Sequence, residues 1–587
     1  MRRGGLGVLG AARVAVSLVP LLVLGLACGS SSSSSSSPDA GAWPCPPAPP
    51  AVAATEAQMA SKHGTMGRAP TAMVATSHAL ATQVGLGILN QGGNAFDAYV
   101  AAVLTDDLVL PGVTSTAGLT GLLVYQASTK ALYYVDGPLR APAAWNPGGG
   151  GGAAVMVPGE VAALALASQR FGKLPWSDLV TPVANLAQQG FPIDALYAGS
   201  IAANASILQQ SPYGQKTFFA NGQPLAVGAT LVQPDYAATL NGIASQGPSY
   251  FYQGPWASEA ISVANAAGGT LAPSDLASYE AALVAPLIVQ HGDTTLFASS
   301  GYSNGGARLL LALETLQGAN AMSLGRFDQS PAALELLLRV QAAEDSQAWL
   351  QDPTVLSDPQ QSAAALVSGV EQMVALVTSA ASLPSSPDGG SHSSGVIVVD
   401  AEGNVAVGTH TIETSNWGLG LFAGGIPLST AGTVVPTTAA SAYAVDPLSS
   451  EIALVGGVPA LAMTTYGSGL HPGDVQIMSY LVDYGMDAED AILEPRVGGY
   501  ALDYLPDGAV SVDPSAHVLD QRVAASVVCP VRAAGFGLEQ YEPPPYPPGT
   551  GMVDTGFPTV VTIAATPGPS RLQGMTPEWM NGIAAGF

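Results

Sequence analysis

The sequence predicts a folded protein of the α+β class. Of its 587 residues, 48% are hydrophobic and only 10% are charged, which supplies a large core and excludes a disordered chain or a coiled coil. Apolar runs typical of strands are interspersed with helical patterns, without the strict β-α-β alternation of a parallel α/β fold. We therefore expect a layered arrangement of helices and strands.

The predicted elements follow one another from about residue 66. Met73–Ala75 reads as a short strand, and Thr76 or Ser77 is expected to cap a helix that Gly92 stops. Further strands are predicted at Leu122–Tyr125, Thr294–Ala298, Val396–Val399 and Ile452–Val455. Further helices are predicted at Ala95–Leu108, Gly159–Phe171, Ala307–Leu316 and Ala332–Ala348. The stretch Ser382–Ser394, rich in Ser, Pro and Gly, is expected to be a weakly ordered loop.

Charge and composition exclude several classes of function. The chain has 17 basic and 42 acidic residues and a net charge of −25, so we expect no nucleic-acid partner. Its seven histidines lack paired ligand spacings such as H-x-x-x-H, and we therefore predict no metal site. No other cofactor is predicted.

The first 27 residues have the pattern of an export signal. Basic residues precede an apolar stretch, Val14–Leu26, that is too short to cross a bilayer. Residues 28–66 then form a Ser/Pro-rich linker. The context of Cys28 is typical of a bacterial lipoprotein, and the alternative is a secretory signal cleaved near Ala27. We expect an exported protein, periplasmic or held on the outer membrane only through lipid on Cys28.

Seven groups of residues resemble the γ-glutamyltransferase family. They lie in the family's order and spacing from about residue 67 to 500, an arrangement that chance hardly explains. In chain order they read MVATSH with GGNAFDA (73–78, 92–98), VPGEVA (157–162), RFGKLPW (170–176), AGG with DLASY (267–269, 275–279), VVDAEGN (398–404), DYG (483–485) and EPR (494–496). The chain is identified as a divergent member of this family.

The resemblance implies a four-layer αββα sandwich of the N-terminal-nucleophile hydrolase type. In that class the precursor cuts its own chain before a hydroxyl residue, whose freed α-amine then acts as the base. Counting back from Asp400 puts Ser393 at the nucleophile position, so the cut is expected between His392 and Ser393. Residues 67–392 and 393–587 would then be the large and small subunits of a heterodimer.

Other registers remain open at this position. Ser391 or Ser394 is the nucleophile if the count from Asp400 is shifted, and the whole segment can also be read as an ordinary polar loop. The family's second hydroxyl, which hydrogen-bonds the nucleophile, corresponds to Thr411. The stretch Asp400–Asn404 is predicted to be the hairpin turn that brings the two strands together, although Thr411 also suits a plain strand face.

The resemblance also assigns residues to a substrate pocket. Arg140, displaced by two positions, stands for the arginine that binds the substrate α-carboxylate, and Glu413 is expected to meet a substrate ammonium. Thr437 and Thr438 replace the paired serines that hold the carboxylate. Gly456 and Gly457 correspond to the oxyanion-hole glycines.

Two departures from the family argue against glutamate specificity. Ser429–Gly432 carries no acid where the family has acids for the α-amine. Pro459 lacks the N–H that its register in the oxyanion hole requires, a loss that costs about 10²–10³ in rate. A larger amide or a peptide is therefore expected as substrate in place of glutathione.

We expect a self-processing hydrolase or acyltransferase that acts on γ-glutamyl or related amide bonds through an acyl-enzyme on Ser393. The alternative is a catalytically silent exported scaffold or binding protein of the same fold. A different enzyme class is suggested by Gly301–Gly305, which matches the G-x-S-x-G nucleophile elbow of α/β-hydrolases.

Overall fold

Two seven-stranded sheets organise the computed structural model of this chain. Every strand pair within them is antiparallel. The structure describes residues 66–110, 112–146, 148–379, 393–414, 417–435, 438–467, 469–498, 501–504, 510–512, 517–541, 552–553, 556–576 and 582–587. All of these belong to one compact unit, residues 45–587.

The strands of the two sheets are β1 (Gly67–Ala69), β2 (Met73–Thr76), β3 (Leu119–Gln126), β4 (Ala131–Gly137), β5 (Ala282–Val284), β6 (Leu287–His291), β7 (Thr294–Ala298), β8 (Ser394–Val399), β9 (Val405–Thr411), β10 (Glu451–Val455), β11 (Val458–Tyr466), β12 (Phe557–Ile563), β13 (Leu572–Met575) and β14 (Ile583–Gly586). The first sheet has the order β14-β2-β8-β9-β3-β4-β5, and the second β1-β13-β12-β11-β10-β7-β6. Short strands outside them are Phe191–Pro192, Phe219–Ala220, Gln223–Pro224, Thr230–Leu231, Phe422–Ala423, Ile426–Pro427, Ala501–Tyr504, Val510–Val512, His517–Asp520, Leu538–Tyr541 and Met552–Val553.

The α-helices are α1 (Ala79–Asn90), α2 (Ala95–Val109), α3 (Glu160–Phe171), α4 (Trp176–Gln189), α5 (Ala195–Ala203), α6 (Ala205–Leu208), α7 (Pro212–Phe218), α8 (Pro234–Gln246), α9 (Pro248–Tyr252), α10 (Pro255–Ala266), α11 (Pro273–Ala277), α12 (Gly305–Gly318), α13 (Pro331–Glu344), α14 (Pro353–Leu356), α15 (Pro359–Val377), α16 (Leu470–Val482), α17 (Ala488–Leu493) and α18 (Ala525–Ala533). Single 3₁₀ turns occur at Gly151–Ala154, Ala321–Leu324, Ala348–Gln351, Trp417–Gly420 and Ala431–Thr433. Within the described ranges, no helix has the length and hydrophobicity needed to cross a bilayer.

Three apolar cores separate four layers. The alternating side chains of β8 divide between two of them: Val396 and Val398 pack on the helices around α2, whereas Ile397 and Val399 face the second sheet. A third core lies between the second sheet and helices such as α12, α13 and α16. The order helix, sheet, sheet, helix confirms the predicted αββα sandwich.

The predicted elements are present, with longer bounds in most cases. The helix cap is a correction, because His78 and not Thr76 or Ser77 occupies the N-cap of α1 and accepts from the Leu80 N–H through Nδ1 at 3.1 Å. Thr76 Oγ1 is instead turned to the His78 carbonyl oxygen, at 2.8 Å. Residues 382–392 of the expected loop lie outside the described residues, and Ser394 belongs to β8.

Both predicted subunits contribute strands to each of the two sheets. In the first sheet, β2 lies between β14 and β8, and β3 pairs with β9. In the second, β1 pairs with β13 and β7 with β10. Five ladders therefore join residues before position 392 to residues after it, and neither segment forms a complete sheet alone.

Candidate active site

The β8–β9 hairpin places two candidate catalytic residues opposite each other. Its turn is held by Asp400, whose Oδ1 accepts from the N–H groups of Glu402 and Asn404 at 2.9 and 3.0 Å. Gly403 has φ +85°, a conformation that favours glycine. The ladder pairs Ser394 with His410, and one further step in that register sets Ser393 against Thr411. The predicted hairpin is confirmed.

Strand alternation gives the open end of this hairpin two chemically different faces. Ser393 precedes β8 and shares the side of Gly395, whose Cβ position would lie 2.7 Å from Thr464 Cγ2 of the second sheet. Thr409 of β9 also faces that sheet, with Oγ1 2.5 Å from Thr464 Oγ1. Ser393 and Thr411 are thus directed between the sheets, whereas Ser394 and His410 are directed towards α2.

Hydrogen bonding distinguishes the two adjacent serines. Ser394 is fully buried, and its Oγ donates to Asp106 Oδ2 at 2.8 Å and lies 2.9 Å from Ser77 Oγ. Ser393 is 1% exposed, yet its Oγ has no hydrogen-bond partner among the described residues. Thr411 Oγ1 accepts from the Glu413 N–H at 2.9 Å. Of these two serines, Ser393 is the one whose hydroxyl is not already hydrogen-bonded to a described residue. The third candidate, Ser391, lies outside the described residues.

A buried charged cluster lies behind the hairpin, on the α2 side. His410 Nδ1 is 3.2 Å from Asp107 Oδ1 and 3.6 Å from Glu160 Oε2, and its Nε2 is 3.6 Å from Asp106 Oδ2. Burial lowers the pKa of His410, but its three acidic neighbours raise that pKa well above the ordinary value. Burial and the Asp107 carboxylate raise the pKa of Glu160. Asp107, Glu160 and His410 are close enough to hold a metal ion together.

Sequence reasoning missed this cluster because its members come from α2, α3 and β9. The only sequence signal is the occurrence of acids in otherwise apolar helical segments, as at Asp106 and Asp107 within α2. Acids rarely occupy fully buried positions without a partner.

Arg140 and Glu413 have structural contacts that the sequence did not indicate. The Arg140 guanidinium donates to the Asp275 and Ser278 carbonyl oxygens and lies 5.6 Å from the ring centres of both Tyr279 and Tyr443. Glu413 is 5% exposed and has φ +59°, a strained value for a residue other than glycine. Their predicted contacts with substrate remain predictions.

The assignment of Gly456 and Gly457 to an oxyanion hole is wrong. They form the exposed turn between β10 and β11, with φ +59° and +81°, as expected for a two-residue hairpin loop of glycines. The opposite end of β10 is the one near the hairpin, where Thr409 Oγ1 donates to the Ser449 carbonyl oxygen at 2.8 Å. Pro459 pairs within the β10–β11 ladder, at an irregularity in its register.

A different glycine-containing turn lies at the hairpin end of the second sheet. Gly467, with φ +93°, and Gly469 connect β11 to α16. The Tyr466 ring, directly before them, would be 2.9 Å from a Cβ on Gly395, and its hydroxyl lies 2.9 Å from Ser77 Oγ. The YGSG run before a helical pattern is the sequence signal that could have indicated this turn.

The remaining predicted site residues lie in a loop or outside the described part of the chain. Thr438 lies half-buried in the loop after Ala431–Thr433 and donates its N–H to the Val435 carbonyl oxygen at 3.3 Å. Thr437, His392 and Cys28 lie outside the described residues.

The nucleophile-elbow hypothesis is wrong. Gly301–Gly305 does connect β7 to α12, but β7 belongs to an antiparallel sheet, whereas an α/β-hydrolase elbow follows a parallel strand. Ser303 Oγ lies 2.8 Å from Tyr134 Oη, and no described histidine hydrogen-bonds to it.

Comparisons with known proteins identify the family. The family model for gamma-glutamyltranspeptidase matches residues 81–527. The chain is 32% identical over 263 residues to the glutathione hydrolase proenzyme of Bacillus subtilis (strain 168), which covers 42% of this chain and 45% of that protein. It is 28% identical over 471 residues to the acylase ACY 1 proenzyme of Pseudomonas sp. (strain SE83), covering 72% of this chain and 82% of that one.

A solved structure supports the fold. The crystal structure of cephalosporin acylase from Bacillus halodurans superposes with a TM-score of 0.74 at 20% identity, over 89% of this chain and 97% of that chain. Because the family model spans most of the sequence, the chain belongs to the gamma-glutamyltranspeptidase family.

Proposed function

We propose that the protein is a self-processing amide hydrolase or acyltransferase in which Ser393 is the nucleophile. The observation that carries the proposal is the buried Ser393 hydroxyl, which has no hydrogen-bond partner among the described residues and is one residue beyond the Ser394–His410 pair of the hairpin. The proenzyme names of the B. subtilis and Pseudomonas relatives are consistent with a chain that is cut after synthesis.

Processing requires one acyl shift and one hydrolysis. Ser393 Oγ attacks the carbonyl carbon of His392, the C–N bond between the two residues breaks, and an ester with a free Ser393 amine forms. Water then hydrolyses the ester, which releases the His392 carboxylate and restores the Ser393 hydroxyl. The new α-amine, with a reference pKa of about 7.7–8.0, is suited to act as a base near neutral pH.

The same two groups would perform turnover. The amine takes the proton of Ser393 Oγ as it attacks a substrate amide, and returns that proton to the leaving amine. Water or a second amine then resolves the acyl-enzyme. Thr411 would hydrogen-bond Ser393 during the reaction, and we assign the backbone N–H groups of Gly467 and Gly469 to the oxyanion in place of those of Gly456 and Gly457.

We further propose a substrate without a γ-glutamyl α-amine. Ser429–Gly432 offers no carboxylate to an ammonium group, and two nitrogens of Arg140 are engaged by Asp275 and Ser278. An acylase among the relatives is consistent with a simple acyl group as donor.

Two measurements test the function. Mass spectrometry of the purified protein should find a 195-residue C-terminal chain that begins at Ser393 and co-purifies with the remainder. Glutaryl anilide and γ-glutamyl anilide, which differ only in the α-ammonium group, then probe specificity. We expect kcat/KM at least about tenfold higher for glutaryl anilide, because an unpaired ammonium in a closed site costs about 1.4 kcal/mol or more.

The possible outcomes separate the two claims. An intact chain without amidase activity would support the silent scaffold, and a fragment that begins elsewhere would exclude Ser393 as the processing site. Equal rates on the two anilides would refute the substrate proposal and leave self-processing intact.

We also propose that residues 1–27 direct export and that Cys28 carries a lipid. The support is the sequence pattern alone, a short apolar stretch followed by Cys28 and a serine run.

A further inference from the structure

The charged cluster behind the hairpin is unusual in its depth. Asp106, Asp107, Glu160 and His410 are each 0% exposed. Three carboxylic acids thus surround one imidazole, and no described lysine or arginine forms an ion pair with any of them. Buried carboxylates require a compensating positive charge or a bound proton, because their desolvation costs several kcal/mol each.

Several polar atoms in the cluster lack partners. Both carboxylate oxygens of Glu160 and Oδ1 of Asp106 accept no hydrogen bond from the described residues. Buried polar atoms are satisfied in the great majority of cases, so the unpartnered Glu160 carboxylate beside His410 Nδ1 indicates a ligand there. Glu160 Oε2 lies 3.6 Å from His410 Nδ1, which is beyond hydrogen-bond distance.

The spacing of the three inner atoms suits a tetrahedral metal ion. Zinc bonds of about 2.0–2.1 Å to nitrogen and oxygen separate tetrahedral ligand atoms by about 3.3–3.4 Å. His410 Nδ1 is 3.2 Å from Asp107 Oδ1 and 3.6 Å from Glu160 Oε2. All three ligand atoms lie within 4.8 Å of one another, and His410 Nδ1 is hydrogen-bonded to Asp107 Oδ1, so a bound ion would replace the proton between them.

Outer residues lie next to two of these ligands. Asp106 Oδ2 lies 3.6 Å from His410 Nε2, on the ring edge opposite the inner site, and accepts from Ser394 Oγ. Thr116 Oγ1 donates to Asp107 Oδ2 at 3.0 Å, which leaves Oδ1 turned towards His410. The Thr116 contact is the one hydrogen bond of the two that reaches a proposed ligand, since His410 Nε2 has no hydrogen-bond partner among the described residues.

We propose that Asp107 Oδ1, Glu160 Oε2 and His410 Nδ1 bind a divalent cation of the zinc class. One imidazole with two carboxylates suits zinc, manganese or iron, and the observed separations favour the tetrahedral preference of zinc. The ion would join α2 and α3 to β9. Its ligand in that strand, His410, directly precedes Thr411. Its role would be to hold the Thr411 strand in place, and the site would exist whether or not Ser393 is catalytic.

The test is the metal content of protein purified from cells grown with added Zn²⁺ and dialysed against metal-free buffer. We expect about one zinc per wild-type chain and less than about 0.1 per chain for Glu160→Gln. Glu451→Gln is the matched control, because Glu451 is equally buried but lies in the second sheet, and its zinc content should equal that of wild type. Wild type grown with Co²⁺ should show the intense visible absorption of a tetrahedral ion.

Two results would overturn the proposal. The first is wild-type protein with neither zinc nor a tetrahedral Co²⁺ spectrum, which would mean that protons neutralise the acids. The second is Glu160→Gln that retains a full equivalent of zinc, which would mean that the ion binds elsewhere. Because wild type alone can give the first result, the test does not depend on folding of the variant.

Discussion

Single alanine substitutions at Ser393 and Ser394 should separate a catalytic hydroxyl from a structural one. Ser393→Ala removes a hydroxyl that has no hydrogen-bond partner among the described residues. We expect it to abolish chain cleavage and to leave the fold intact, because the substitution breaks no buried interaction among the described residues. Ser394→Ala should still be cut.

The magnitude for Ser394 follows from its contact with Asp106. The two atoms are 2.8 Å apart, and both residues are 0% exposed, so alanine leaves a buried carboxyl oxygen without its donor. A buried hydrogen bond to a carboxyl group contributes about 1–3 kcal/mol when one partner is removed. The Ser394 change should therefore destabilise the protein by about that amount.

The stability comparison requires chains in the same covalent state. Ser393→Ala and the double variant Ser393→Ala/Ser394→Ala are both expected to remain uncut, so the difference between their urea-unfolding free energies isolates the Ser394 contact. Denaturing gels and mass spectrometry report cleavage of each single variant. If Ser394→Ala stayed uncut while Ser393→Ala was processed, Ser394 would be the nucleophile and the register would be wrong.

Three further predictions address other parts of the chain. Gly408→Ala should destabilise the protein by about 1–3 kcal/mol or prevent folding, because its Cβ would lie 2.0 Å from Tyr99 Oη; unchanged urea unfolding would contradict this packing. Burial lowers the pKa of His291, but its hydrogen bonds to acids such as Asp483 raise it to about 9. Its contribution of about 2 kcal/mol should be complete below about pH 6.5 and disappear as the pH rises through 9, so a His291→Gln variant that showed the same pH dependence of unfolding as wild type would refute it. Cys28→Ser should move the protein from the membrane to the soluble exported fraction, and its retention in the membrane would indicate another attachment.

Local signals predicted the fold and the hairpin well. The turn at Asp400–Asn404 set the register, and the count of residues along two adjacent strands brought Ser393 and Thr411 together. Four-layer packing followed from the family resemblance, and the division of apolar residues between the two faces of β8 confirms it.

Features of the site that depend on contacts between distant chain segments could not be predicted in the same way. Gly456 and Gly457 resembled a catalytic motif, but two adjacent glycines are also the preferred residues of a tight hairpin turn. In the structure they form such a turn, between β10 and β11. The acids around His410 are separated by 250 residues or more from it along the chain, so no spacing rule could connect them. His78 is the cap of α1 because the helix begins at Ala79, one to two residues later than a Thr76 or Ser77 cap requires, and the His78 ring nitrogen accepts from the Leu80 N–H.

The sharing of both sheets between the two predicted subunits has a consequence for folding. Before a cut at residue 392, the chain closes all five shared ladders as a single molecule, at a rate that does not depend on concentration. After the cut, complete unfolding would release two fragments that each lack neighbours in both sheets, so refolding would require a bimolecular encounter of chains with exposed strand edges. Cleavage would thus turn a reversible folding equilibrium into one that is effectively one-way, and the lifetime of the processed protein would be set by its unfolding rate.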